Sequence, residues 1–259
     1  MERYLAAQEP GTDAAARDAQ QLVYDAWEAT TDEREMELML QALELDPGNP
    51  DALLHVLCTL PMTADQEIEA LRMVVAVAER KLGPKAFEEY AGAFWGFIET
   101  RPYMRARERL AECLRAAGRL EEAVSEWHAM LNLNPGDNQG VRYALVPGLL
   151  VLRRLQEARQ ILEKYPGAAG FNAVFAWGHA LERFLSDDLP GAAAALMVAR
   201  KQNPHMQAYI KGHRKVPRQL PDAYSPGSKE EAVCFAEALQ AAWEKHPVAL
   251  KWLETQRTK

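Results

Sequence analysis

Residues 118–138, GRLEEAVSEWHAMLNLNPGDN, decide how the rest of the chain is read. A glycine breaks one helix, and a second begins with Glu121, Glu122 and Ala123. Apolar residues at Ala123, Val124, Trp127, Met130, Leu131 and Leu133 follow the 3.6-residue period of a one-sided helix. Asn134-Pro135 stops it, because proline has no N–H to donate and pushes the preceding residue toward extended geometry. A small residue, an aromatic four positions later and a terminal proline make this the second arm of a helix hairpin of repeat type.

Working outward, the same stop returns at Asn203-Pro204, 69 residues beyond Pro135 and so twice a period of about 34. An earlier one, Asp46-Pro47, lies 88 residues before Pro135. Upstream, a stripe of Ala19, Leu22, Val23, Ala26 and Trp27 predicts a helix over 15–29. Thr31-Asp32 caps a second one that carries Met36, Met39, Leu40 and Leu43. Pro50 opens a helix that runs to Leu60, and Thr63 with Gln66 forms a capping box for a long helix over 64–82. Residues 85–99 read as a helix with an aromatic face of Phe87, Tyr90, Phe94, Trp95 and Phe97, followed by a helix over 102–117. Further helices are predicted over 138–152, kinked at Pro147-Gly148, over 155–164 with a stop at Tyr165-Pro166, over 172–185, and from Gly191 to the stop at Asn203-Pro204. Prolines 204, 217, 221 and 226 leave 205–227 irregular. Ser228 and Glu231 then read as a capping box for a helix over 229–244, and a short helix over 249–253 covers the end of the stack. The expected organisation is a loose lead-in over 1–14, a helical-repeat domain over 15–204, and an irregular loop with a helical cap over 205–259.

The composition is that of a soluble all-α protein: 48% hydrophobic, 26% charged, with little strand-type alternation. The net charge of −7 argues against a chain that coats nucleic acid as a whole. Its distribution is uneven, with 20 acidic and 7 basic side chains in residues 1–100 against 17 and 23 in the remainder. Cys58, Cys113 and Cys234 are far apart within helical patterns, which predicts reduced, mostly buried thiols. No basic-then-apolar leader opens the sequence and no apolar run is long enough to span a bilayer, so the expectation is cytoplasmic, with no membrane contact.

Leu110, Ala111, Gly118, Ala123, Trp127, Met130 and Pro135 together resemble the tetratricopeptide pattern directly. Leu22, Ala42 and Pro47 resemble it more loosely, as do Leu181, Ala192, Ala199 and Pro204. In the unit over 138–166, Leu155 stands where the small turn residue of the pattern belongs, and the second helix is short. Residues 40–165 also carry TLPMTADQEIEALRMVVAVAER, FWGFIETRPYMRARERLA and LNLNPGDNQGVRYAL, which resemble the C-terminal part of the suppressor of tumorigenicity 7 family and its bacterial relatives. The resemblance implies tetratricopeptide-like scaffolding, that is, an all-α solenoid of helix hairpins, and no established chemistry.

Catalytic motifs are absent: the sequence holds no GxSxG, no glycine-rich phosphate loop and no HExxH. The six histidines show no ligand spacing, so neither a metal nor another cofactor is expected. Cys58 follows His55 by three residues, but the surrounding LLHVLCTL reads as an apolar helix with a buried thiol. The aromatic stripe around Phe94, Trp95, Phe97 and Tyr103 reads as core rather than as a recognition surface.

Two binding surfaces remain. A stack of hairpins leaves a face lined by first helices, on which Arg101, Arg105, Asn138, Gln139 and Arg142 are suited to hold an extended peptide. The same residues serve equally as locks between neighbouring hairpins, and the spacing does not separate the two roles. The stretch 200–218 carries Arg200, Lys201, Lys211, Arg214, Lys215 and Arg218 with Tyr209 among them, and no acidic residue until Asp222. One tyrosine is thin support for base stacking, so nucleic acid is disfavoured there. The sequence therefore points to a noncatalytic scaffold that binds a protein or peptide. The alternative is an accessory domain that takes a small ligand or nucleic acid through 200–218, and a structural homo-oligomer is a third reading.

Overall fold

A computed structural model describes residues 14–165 and 167–256. The lead-in expected over 1–14 falls outside them except for Ala14, and so does Pro166 of the expected Tyr165-Pro166 stop. The described residues form an all-α fold with no strand, built of helix hairpins.

Three hairpin corners share one backbone device. Gly118, Arg153 and Asp187 all take left-handed φ angles, of 76°, 57° and 61°. The next residue in each case sends its N–H back to a carbonyl five residues earlier: Arg119 to Leu114 at 2.8 Å, Arg154 to Leu149 at 2.9 Å, and Asp188 to Arg183 at 3.0 Å. This is the bond that closes a helix C-terminus over a left-handed residue. The corners lie 35 and 34 residues apart, so the repeat period is written in the backbone itself. Only the first carries glycine. Arg153 and Asp187 hold the same turn without it, at a strain of about 1–2 kcal/mol each.

The chain divides into two compact units, Met1–Gln139 and Gly140–Lys259. The division falls inside the stretch read as one repeat domain. In the first unit, α1 (Ala14–Trp27) packs on α2 (Asp32–Leu45), with Ala19, Val23, Leu38, Met39 and Ala42 in the shared core. The Thr31 and Asn49 side chains accept N–H bonds at the starts of α2 and α3 (Pro50–Thr59). Thr63 and Gln66 complete the expected capping box of α4 (Ala64–Glu89). That helix resumes after the expected stop, because Gly83, at φ 69°, bends the backbone and Pro84 starts a new helical turn.

The continuous helix expected over 85–99 is not formed. Helix α4 ends at Glu89, and two 3₁₀ turns, Phe94–Gly96 and Ile98–Thr100, take its place. Gly92 adopts φ 91° and donates its N–H to Leu133 O at 2.9 Å, so the chain is diverted toward the end of another helix. The Thr100 hydroxyl caps the turns by donating to Phe94 O and Phe97 O. The aromatic residues do build core there: Phe94 and Tyr103 are buried and pack with Phe87. Phe97 instead stacks on Tyr90 at 3.9 Å and is partly exposed. The unit closes with α5 (Arg101–Ala116) and α6 (Leu120–Leu133), the hairpin from which the sequence was read.

The second unit holds α7 (Arg142–Val151), α8 (Leu155–Lys164), α9 (Ala173–Leu185), α10 (Leu189–Gln202), the short α11 (Met206–Ile210), α12 (Lys229–Glu244) and α13 (Pro247–Thr255). The helix expected from residue 138 starts only at Arg142, since Gly140 at φ 76° cannot sit in its first turn. Within 205–227, read as irregular, Met206, Tyr209 and Ile210 are buried and form α11. Trp177 and Trp243 meet edge to face at 6.4 Å in the core between α9 and α12.

The Ser228 cap is only half of the expected box. Ser228 Oγ accepts the Glu231 N–H at 3.0 Å, but the Glu231 carboxylate does not reach back to Ser228. It is fully buried and accepts from Ala173 N, Gln202 Nε2, Asn203 Nδ2 and Gly227 N instead. One carboxylate thereby satisfies the start of α9, the end of α10 and the approach to α12. Asn203 adds its own amide to Ser228 O at 2.9 Å.

Candidate functional site

The arginines at the start of α5 radiate outward to three different helices. Arg105 clamps Asp51 at the start of α3 through two bonds, Nε to Oδ1 at 2.8 Å and Nη2 to Oδ2 at 2.6 Å. Arg107 Nε reaches Glu126 of α6 at 2.7 Å, and Arg109 Nη2 reaches Glu67 of α4 at 2.6 Å. Arg101 Nε donates to Trp95 O at 3.0 Å, with its guanidinium over the Trp95 ring. Two of the expected peptide contacts, Arg101 and Arg105, therefore have defined partners within the fold, and the Asp51 side chain is only 2% exposed.

Gln139 turns toward α5, where its Nε2 donates to the Glu108 carboxylate and to Met104 O. Burial holds the Glu108 carboxyl above its ordinary pKa, against the opposing effect of the Gln139 bond. Asn138 is exposed and opens no helix; its Oδ1 accepts the Asn134 amide at 3.1 Å. Arg142 lies in the second unit, where its guanidinium is 4.7 Å from both the Tyr143 and the Tyr165 ring centroids and donates to Tyr143 Oη. The structure thus places the five expected residues as one guanidinium clamp, one backbone contact, one exposed amide, one half-buried amide and one arginine between two rings.

Two residues not singled out for this face complete it in the first unit. Gln20 of α1 donates to Asp51 Oδ2 at 3.2 Å and accepts from Asn49 Nδ2 at 3.1 Å, so α1, α3 and α5 adjoin along one line of polar contacts. Trp27, expected in the core stripe of α1, is instead 44% exposed, with the Arg105 guanidinium 5.0 Å over its ring. It is the last residue of α1, next to Ala26, which stays in the shared core. The Asp51 carboxylate could have been noticed as the acid after the opening Pro50, but its partner lies 54 residues away.

Cys58 is exposed, contrary to the buried thiol expected from its apolar helix. It falls in the last turn of α3, where the helix end is uncovered. Its neighbour His55 pairs through Nδ1 with Glu35 of α2 at 3.2 Å. Cys113 donates its S–H to Glu67 at 3.0 Å, and burial with that carboxylate pushes its pKa up to about 12. Alkylation with iodoacetamide near pH 8 is expected to modify Cys58 at least ~10-fold faster than Cys113, which stays a thiol there; equal rates, followed by peptide mass spectrometry, would contradict this placement. Among the described residues no group of three or more His, Cys, Asp or Glu side chains is set to hold a metal ion. No helix among them is long and apolar enough to cross a membrane.

In the second unit a groove of about 890 Å³ opens between α10 and the segment 204–213. Arg200, Lys201, Lys211 and His213 line it, over a floor that includes Leu196 and Met197. A cavity of about 500 Å³ in the first unit is bounded by α1, α4 and the start of α5, with Gln20, Tyr24, Glu99 and Tyr103 in its wall.

No protein-family profile matches the chain, and no curated protein does. Among solved structures, that of pilF from Pseudomonas aeruginosa is similar over 72% of this chain and 91% of its own, at 20% identity and a TM-score of 0.37.

Proposed function

We propose that the chain is a noncatalytic helical-repeat scaffold that binds a partner protein through an extended segment laid on the first-helix face. The observation that carries this reading is the half-exposed Trp27 beneath the Arg105 guanidinium, beside the polar line from Gln20 through Asp51 to Arg105. Tryptophan and arginine dominate the energetics of protein interfaces, and a surface held by its own hydrogen bonds loses little entropy when a partner settles on it. Arg105, Arg101 and Gln139 hold the face in shape, while Trp27 and Asn138 offer contact area.

The test separates contact from lock. Trp27→Ala is expected to abolish capture of the partner from extract of the native cell while lowering thermal stability little, because the ring is already half in water. Arg105→Ala is expected to cost about 3 kcal/mol of stability, since it strands the buried Asp51 carboxylate. The double variant Arg105→Ala, Asp51→Ala is expected to recover part of that loss. Capture that survives Trp27→Ala places the interface elsewhere. An Arg105→Ala protein as stable as the wild type removes the lock.

A further inference from the structure

Helix α10 buries one face and leaves the opposite one without the charges that a solvated face carries. Ala192, Leu196 and Ala199 turn inward, each at 1% exposure or less. On the other side Pro190, Ala194, Met197, Val198 and Lys201 are all exposed, Met197 at 67% and Val198 at 47%. Their spacing is that of one helical stripe, set opposite the buried one. A helix at a protein surface ordinarily covers its outer face with charged and polar residues. Here no charged residue occurs from Leu189 to Ala199, so the outer stripe is apolar until Lys201 at its end. An exposed apolar face with a charged rim is the composition of an interaction surface.

The ends and the middle of this stripe make it its own complement. Asp187 is exposed at the corner before α10, and Lys201 is exposed in its last turn. Ala194 stands midway between them, seven residues from each. A twofold axis through Ala194 therefore brings the acid of one copy beside the lysine of the other, at both ends at once. It also sets Val198 of each copy against Pro190 of the other, and Met197 against Gly191, where no side chain stands in the way. Small residues at the centre let two helices approach closely. A parallel pairing would instead oppose lysine to lysine and acid to acid, which is unfavourable. A patch that is complementary to itself under a twofold rotation is what an isologous dimer requires.

We infer that α10 is the contact helix of a twofold dimer of this chain, in which two copies pack antiparallel across Ala194 with Asp187 of each beside Lys201 of the other. The contact lies on the other unit from Trp27, and its test does not involve that face.

One helix from each copy makes a small interface, so the expected dissociation constant is on the order of 10 µM. Sedimentation velocity of the full chain, from about tenfold below that value to about tenfold above it, is expected to pass from monomer to dimer. Ala194→Glu sets two carboxylates face to face on the axis and is expected to weaken association at least ~10-fold. Lys201→Glu, which sets acid against acid, is expected to weaken it ~3-fold or more, and adding Asp187→Lys should restore it, because the two charges are then exchanged. Arg153 holds a corner of the same left-handed geometry, so a long cationic side chain is accommodated at 187. Each variant changes an exposed side chain, and unchanged circular dichroism and melting at the dilute end confirm its fold. A chain that stays monomeric throughout overturns the proposal, whether the face is left bare or is taken by a different protein. So does a dimer that Ala194→Glu leaves intact, or one that Lys201→Glu weakens and Asp187→Lys fails to restore.

Discussion

Trp127→Ala is expected to cost about 3–5 kcal/mol of folding stability, measured by urea unfolding. The indole is 1% exposed on α6, on the face that also buries Ala123, Val124, Met130 and Leu131. Removing a ring of that size from a packed site loses both the transfer free energy of the buried surface and the contacts of the atoms that lined it. The hairpin of α5 and α6 is the body onto which Arg105 and Arg109 anchor α3 and α4, so the loss is expected to appear as a lower midpoint for the whole first unit. A change near zero would mean that the pocket collapses freely around the missing ring, and the repeat reading of this helix would fail.

Glu231→Ala is expected to be of similar size, about 3–5 kcal/mol, although the residue is a carboxylate with no cation beside it in its hydrogen-bond shell. Its oxygens accept from the backbone N–H groups of Ala173 and Gly227 and from the amides of Gln202 and Asn203, at distances of 2.6 to 3.0 Å. Each stranded donor in a buried site costs about 1–3 kcal/mol. Glu231→Gln is the sharper probe, because it keeps the volume and one acceptor but turns an NH₂ group toward donors. It is expected to lose nearly as much stability as alanine. A Gln variant as stable as wild type would show that the carboxylate is not the acceptor for these four groups, and would return Glu231 to the simple capping role that its position after Ser228 suggests.

Helix positions and stops were legible because their causes act within a few residues. The stripe of Ala123, Trp127 and Met130, the Asn134-Pro135 and Asn203-Pro204 stops, and the Thr63 cap each depend on side-chain period, a missing N–H or a bond three residues away. Where the local rules competed, the outcome was not written locally. Residues 85–99 satisfy a helical stripe, yet the bond from Gly92 to Leu133 and the burial of Phe94 against Tyr103 break it into 3₁₀ turns. The corners at Arg153 and Asp187 carry no glycine, so nothing in their composition marks the left-handed turn that the packing of two helices imposes. The roles of charged residues lay furthest out of reach. Arg105 opens a first helix equally well whether it grips a peptide or Asp51, and Glu231 sits three residues after a serine whether it caps or supports three segments. A charge finds its partner by which helices adjoin and how each is rotated about its axis. Contacts 54 and 58 residues apart in the chain set those quantities here, and no spacing within one helix encodes them.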